Sequence, residues 1–438
     1  MRTLGLFSTA ASLVWLAAFF STARAAVDIP HNPGCGMKTD TPQARIERNR
    51  RIAEYHFQGF LAAKKLNWLY TIWDQPCFAK DATIYSWMMG EPLSTAKTKP
   101  SYYNAAILQK EIVAQWKVMP DYGIVPGSLV VYPWDGGVQF RYTFEGHTPD
   151  GTLHHLWEIL TLIINDEGKI THWEFWDDVV GTNDITKVVV GKDILAMLKD
   201  RRTGDAYTHS FDRVIKEGRA IPPAPDEPPT ELPDSAALPN EPVAATMDVR
   251  TNPGCGTKPA TTQEKTARNA IIAQFYAQAY TDIREKRLAT WFDYGCFAKG
   301  ATTTNWLMEP LTSAKPRPLL NTAKLMQQEL AAYRKVMPDY AAMPDKLVAH
   351  AWDGGVTFST VFQGHTKDGV AIEVWEVNTL LINDEGKITH WEFWKDNKAQ
   401  DEVFQRTYGK RVLGDSGLMH VTGMSYADYV ATIKAGPR

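Results

Sequence analysis

Between residues 41 and 66, apolar side chains fall at Ile46, Ile52, Tyr55, Phe60 and Leu61, near helical spacing, and the pattern predicts a long helix. A second helical stretch is expected over 67–73. A third is expected over 102–119, closed by Pro120. The period then changes. Residues 129–132, 138–146, 153–164 and 169–176 read as strands. They are separated by Asp135-Gly136-Gly137, Pro149-Asp150-Gly151 and Asp166-Glu167-Gly168, all of which are turn chemistry. Val138, Phe140, Tyr142 and Phe144 alternate with Gln139, Arg141, Thr143 and Glu145, so that strand has one apolar face. The next strand is apolar on both faces, with Leu156, Leu160 and Leu162 set against Trp157, Ile159 and Ile163. One face should meet the helices of its own unit; the other needs a second cover. Helices first, then an antiparallel meander, is an α+β pattern.

The whole pattern occurs twice. Asn32-Pro33-Gly34-Cys35-Gly36 returns as Asn252-Pro253-Gly254-Cys255-Gly256, and Cys77-Phe78-Ala79-Lys80 as Cys296-Phe297-Ala298-Lys299. The twelve residues 165–176 return unchanged as 383–394. The offset drifts only from 220 to 218, so the copies are collinear, and this period is far longer than that of solenoid repeats. Between them, 221–245 holds eight prolines with Glu, Asp and Ala, and such a stretch cannot bury a core. The expected organisation is therefore a leader at 1–25, a first domain at 27–219, a Pro-rich linker at 220–246 and a second domain at 247–438. The missing cover for the two-sided strand is most simply the sheet of the other copy. That makes the chain an intramolecular pseudo-dimer, and the same reading is compatible with further self-association.

Composition sharpens this only in places. Apolar residues at 44%, charged residues at 22% and a net charge of −3 suit a globular protein and argue against nucleic acid as a main partner. Arg2, an apolar run from Leu13 to Phe20 and Ala23-Arg24-Ala25 read as a cleavable signal peptide, with no membrane association after cleavage. No Asn-x-Ser/Thr sequon occurs, which fits a periplasmic or secreted bacterial protein. Four cysteines, two per copy, allow three connectivities. Pairing Cys35 with Cys77 and Cys255 with Cys296 is favoured because it keeps each unit self-contained. A zinc site is the rival, and it lacks CxxC spacing or a nearby histidine pair.

Three helices, a Pro-Asp closing the third, and a meander ending in an aromatic-acidic tail resemble the nuclear transport factor 2-like superfamily. The resemblance is closest to its SnoaL-like branch and the phenazine-biosynthesis A/B proteins. It is carried by Met119-Pro120-Asp121-Tyr122, Phe144-Glu145-Gly146-His147-Thr148, Asp150-Gly151, and Gly168-Lys169-Ile170 leading into Glu174-Phe175-Trp176. It implies two tandem cone-shaped domains, each with N-terminal helices packed on a curved antiparallel sheet around a deep pocket. The superfamily includes isomerases, cyclases, dehydratases and plain binding proteins, so the resemblance does not choose a reaction.

Candidate chemistry lies on the strands. Glu158 and its counterpart Glu376 sit mid-strand among large apolar residues, where lost solvation raises a carboxyl pKa toward the general acid–base range. The bland alternative is a structural carboxylate. His172 and His390 each lie two residues before Glu174 and Glu392 on one strand face, a spacing that permits a relay. The acid–base pair of SnoaL-like cyclases aligns either with this face or with the one carrying Trp173 and Phe175. The second alignment removes the carry-over. His147 and His365 in Gly-His-Thr could shuttle protons or simply pack a turn. Asp74 and Asp293 are candidates for the pocket mouth, and Asp121 and Asp339 are read as caps. Trp157, Trp375, Trp87, Trp306 and Tyr142 are candidates for packing a substrate.

No dinucleotide, P-loop or Gly-x-Ser-x-Gly motif occurs, so no cofactor is indicated. Adjacent His154-His155 become Ile372-Glu373 in the second copy, which argues against a duplicated metal site. Tyr132 against His350 and Arg141 against Ser359 also separate the copies, so either the pockets take different ligands or one copy acts alone. The expected function is a cofactor-independent exported lyase or isomerase moving protons on a flat hydrophobic or aromatic small molecule. The alternatives are a non-catalytic binding protein for such molecules and a structural module with self-filled cones.

Overall fold

The computed structural model describes residues 32–66, 69–73, 77–89, 92–101, 105–194, 216, 252–281, 290–307, 316–413 and 424–437. The leader at 1–25, the linker at 220–246 and the candidate Asp74 lie outside the described residues. Helix α1 (Pro42–Leu66) is capped by Thr41, whose hydroxyl accepts from the Ala44 amide at 3.2 Å. Then come β1 (Phe78–Ser86), β2 (Lys99–Pro100), α2 (Ala105–Val118), β3 (Gly123–Ile124) and β4 (Val130–Trp134). The half closes with β5 (Gly137–His147), β6 (Leu153–Ile164), β7 (Ile170–Asp177) and α3 (Val179–Val190). The sheet order is β2-β1-β7-β6-β5-β3, with β4 also on β5.

The second half repeats this topology with α4 (Thr262–Thr281), β8 (Phe297–Asn305), β9 (Arg317–Pro318), α5 (Ala323–Val336) and β10 (Ala341–Ala342). It continues with β11 (Val348–Trp352), β12 (Gly355–His365), β13 (Ala371–Ile382), β14 (Ile388–Lys395), α6 (Asn397–Tyr408) and α7 (Tyr426–Ala435). Its sheet runs β9-β8-β14-β13-β12-β10, with β11 on β12. The class is α+β, with two seven-stranded sheets, and both halves fall within one unit spanning 31–438.

Three local expectations need correction. Residues 69–73 form a loop and turn, not a helix. The loop must run against α1, because a Cβ on Gly59 would lie 1.7 Å from the Tyr70 carbonyl oxygen. The sheet is not purely antiparallel: β1 precedes α2 in the chain and pairs parallel with β7, Thr83 opposite His172 and Ser86 opposite Phe175. Lys80 and Asp81 interrupt its alternation, which hides the strand from a period-two reading. Helix α3 was also unforeseen. It starts at Asp178, whose carboxylate accepts from the Gly181 amide, and stops at Gly191 with φ 77°.

The bonds Cys35–Cys77 and Cys255–Cys296 are formed. Each ties the N-terminal arm to the start of the second strand of its sheet, β1 or β8. The same corner is braced by an arginine in both halves. Buried Arg48 donates to the carbonyls of Met37, Asn165 and Asp166, all at 3.1 Å, and Arg268 repeats the arrangement.

The two faces of β6 are buried against different things. Leu156, Glu158 and Leu160 face a cavity under the helices of the same half. Trp157 lies 4.8 Å from Trp394 and 6.1 Å from Trp375, ring centre to ring centre, so the opposite face meets the other half. Buried polar contacts cross the same seam. Arg141 pairs with Glu392 at 2.8 Å, and Glu174 accepts from the Ser359 hydroxyl and meets His350, each at 2.8 Å.

Candidate functional site

Strand alternation decides which side chains enter the first-half cavity. From β5 come Tyr142 and Phe144, from β6 Leu156, Glu158 and Leu160, and from β7 Trp173, Phe175 and Asp177. Helices α1, α2 and α3 close it with residues such as His56, Glu111 and Thr182. The cavity has about 60 Å³ of room for the centres of water-sized molecules, enough for several waters. The cone is therefore not filled by its own side chains.

Two carboxyls meet in this largely apolar space. Glu158 and Asp177 are directly opposite each other in the β6–β7 register, and both line the cavity. Glu158 Oε2 accepts from the Tyr142 hydroxyl at 2.8 Å, and the Tyr142 hydroxyl oxygen lies 2.9 Å from His56 Nε2. With the Tyr142 proton committed to Glu158, His56 must donate from Nε2, which leaves Nδ1 an unpartnered buried atom. Asp177 accepts from the Trp87 indole N–H at 2.6 Å and from the Thr182 hydroxyl at 2.7 Å.

Burial and like charge then act together. Glu158 keeps some exposure, but to the cavity, and the surrounding protein strips its water. Burial first, and the neighbouring Asp177 and Glu111 charges next, hold its carboxyl well above the usual range. Burial likewise lifts Asp177 to about 8, the Thr182 and Trp87 hydrogen bonds acting against it. Burial also drives His56 down to about 3, so its ring is neutral at physiological pH. Two adjacent carboxyls, both raised chiefly by burial and linked to a tyrosine and a neutral imidazole, are suited to holding protons and exchanging them with a ligand.

The other sequence candidates lie elsewhere. His172 is on the opposite face of β7, bonded through Nδ1 to Thr83 Oγ1 at 2.8 Å, and His390 repeats this with Thr302. Glu174 and Glu392 belong to the seam. Trp157 and Trp375 do too, because odd positions of β6 and β13 face away from the cavities. Neither lines the cavity of its own half. His147 is half exposed and bonds Asp121 at 2.7 Å, as His365 bonds Asp339, so both are turn pairs outside the cavity. Asp293 accepts from the Thr290 amide and hydroxyl, each at 2.9 Å, in a local turn. Tyr142 lines the cavity and donates to Glu158. Trp87 contributes its N–H to Asp177.

The reading from sequence missed Asp177 and His56. Asp177 could have been found by carrying the Trp173–Phe175 alternation one step further. The contrast with Lys395 at the same position of the second half was a further signal.

The second-half cavity differs in charge. Glu376 accepts from Tyr276 at 3.0 Å and from Asn378 at 2.7 Å, and it faces Lys395 Nζ at 3.4 Å. Tyr276 replaces His56, Lys395 replaces Asp177, and Trp306 takes the place of Trp87. Among the described residues no group of three His, Cys, Asp or Glu side chains could hold a metal ion, and no helix is long and apolar enough to cross a membrane.

No family model matches the chain, and no curated protein matches it. Among solved structures it is similar to PrhC from Penicillium brasilianum at 10% identity, over 32% of this chain and 89% of that one, with a TM-score of 0.23. A phenazine biosynthesis-related protein from Pseudomonas aeruginosa matches at 11% identity, over 34% and 88%, with a TM-score of 0.24. A steroid delta-isomerase from the same organism matches at 17% identity, over 26% and 74%, with a TM-score of 0.17. Likenesses this distant add nothing to the chemistry of the site.

Proposed function

We propose that the first half is a cofactor-independent acid–base catalyst, an isomerase or lyase that moves a proton on a flat apolar small molecule. The observation that carries this reading is the Glu158–Asp177 pair, buried opposite each other in an apolar cavity with Tyr142 and His56 linked behind Glu158. The ionised member of the pair takes a proton from a carbon made acidic by a neighbouring carbonyl. The protonated member returns one to a second position. Tyr142, itself held by the neutral His56 ring, donates to Glu158 and orients that carboxyl toward the substrate. Aromatic walls such as Trp173 and Phe175 would hold a planar substrate and exclude water.

The two halves would form the pseudo-dimer within one chain, with the second half supporting the first across the tryptophan-lined seam. Two disulfides suit an oxidising compartment, in line with export to the periplasm or medium.

The reading is tested by incubating the protein with planar ketones in D2O and following α-carbon exchange and double-bond migration by NMR. Exchange above the buffer rate that falls about a hundredfold or more in Glu158→Gln and Asp177→Asn supports it. Exchange unaffected by both substitutions removes it.

A further inference from the structure

The second-half cavity keeps the aromatic walls but leaves several donors without acceptors. Trp306 is fully buried and lines this cavity, held beside β14 by its backbone N–H to the Phe393 carbonyl at 3.2 Å. Its counterpart Trp87 gives its indole N–H to Asp177. In the second half Lys395 stands at that position and offers no acceptor, and the Trp306 N–H has no partner. The Tyr340 hydroxyl, also on the cavity wall and fully buried, is likewise unpartnered. Lys395 itself, with a side chain 14% exposed, has three donors and only the 3.4 Å ion pair to Glu376. Buried donors left unpaired cost free energy, and a cavity that sets two of them beside a lysine with donors to spare is shaped for something that accepts.

We propose that the second half is a separate binding site for a planar apolar molecule carrying an acceptor oxygen, a carbonyl or a carboxylate, received by Lys395 and the Trp306 indole N–H. The rings of Tyr276, Phe362 and Phe393 supply the apolar contact. Phe362 and Phe393 already lie under the Lys395 ammonium, at 5.7 and 5.0 Å, and hold it over the cavity. The two cavities then differ in kind. The first exchanges protons; the second recognises an oxygen without a paired carboxyl to do chemistry on it. The site does not depend on the first half being catalytic.

The test uses three probes of one shape, 2-acetylnaphthalene, 2-naphthoate and 2-ethylnaphthalene, with affinities measured by calorimetry on the full chain. At least one oxygen-bearing probe should bind about tenfold or more tighter than the ethyl compound. Trp306→Phe should remove most of that preference, Lys395→Met should do the same, and Asp177→Asn in the first half should leave it intact. The comparison of ketone with carboxylate shows which oxygen the lysine prefers. If Lys395→Met does not fold, Trp306→Phe, which removes the N–H and keeps an aromatic ring, decides alone. Equal affinities for the three probes, no binding of any, or a preference lost in Asp177→Asn rather than in Trp306→Phe overturns the proposal.

Discussion

Glu158 and Asp177 face each other across the β6–β7 ladder, whereas the same two positions in the second half carry Glu376 and Lys395. One substitution of charge separates a cavity that pairs two raised carboxyls from one that holds an ion pair. The scaffold around both is nearly the same, down to the arginine that braces the β6–β7 turn. On the cavity face of the last strand the halves differ only here; the groups around Glu158 change on other elements, His56 to Tyr276 and Tyr142 to Thr360.

The first consequence is a stability profile. Asp177 is lifted to about 8 in the folded protein, against roughly 3.9 for an ordinary aspartate. A carboxyl raised by folding stabilises fully below its unfolded value, and that contribution is lost as pH rises from about 4 to about 8. Asp177→Asn cannot ionise, so it should lose less stability over this interval, at most ~1.4 kcal/mol less per pH unit. Urea denaturation at pH 5 and pH 8 measures it; parallel profiles for the two proteins count against the assignment.

On the acid side the controlling group is His56. Its neutral form is favoured by burial down to about pH 3, while in the unfolded chain it titrates near 6.5. Its contribution is present above about 6.5 and is lost as pH falls toward 3. His56→Gln should flatten that acid limb, again by up to ~1.4 kcal/mol per pH unit, in the same denaturation series. An unchanged acid limb shows that other groups set it.

Across the seam, Arg141 and Glu392 form a buried pair at 2.8 Å. Arg141→Met leaves Glu392 buried and unpaired, with an expected cost of about 3–5 kcal/mol. Removing both charges, as Arg141→Met with Glu392→Gln, should recover most of it. A double-mutant cycle with no coupling between the two positions shows that the halves do not depend on this pair.

Much of this architecture was legible from residue pattern alone. The repeat, the three long meander strands and the cysteine pairing follow from alternation, Asp-Gly turns and collinear motifs. Strand β1 did not, because Lys80 and Asp81 break its alternation and its partner β7 is remote in sequence. The face of β7 was the critical ambiguity. His172, Glu174 and Trp176 lie on one side and Trp173, Phe175 and Asp177 on the other. Both sides are buried, so polarity could not tell the seam from the cavity. Polar residues on a strand point to a site, yet Glu174 serves the seam and His172 bonds Thr83 on the same face. His56 sits on a helix where nothing local distinguishes a cavity histidine from a packed one.

Each disulfide closes a long loop, and Cys35 and Cys77 are separated by 42 residues. Chain-entropy arguments assign such a loop about 4 kcal/mol, which Cys35→Ala with Cys77→Ala should forfeit. Denaturation of the variant against the parent protein checks this, and a loss below about 1 kcal/mol shows that the arm is held mainly by Arg48 and the turn carbonyls instead.

The most direct measurement of the central claim is a carboxyl 13C NMR titration of protein labelled at Glu and Asp side chains, with Glu158 and Asp177 assigned through Glu158→Gln and Asp177→Asn. The account predicts that at least one of the pair remains protonated at pH 7 and that removing either carboxyl shifts the titration of the other downward. Both carboxyls titrating below about pH 5, each indifferent to loss of its neighbour, would contradict it.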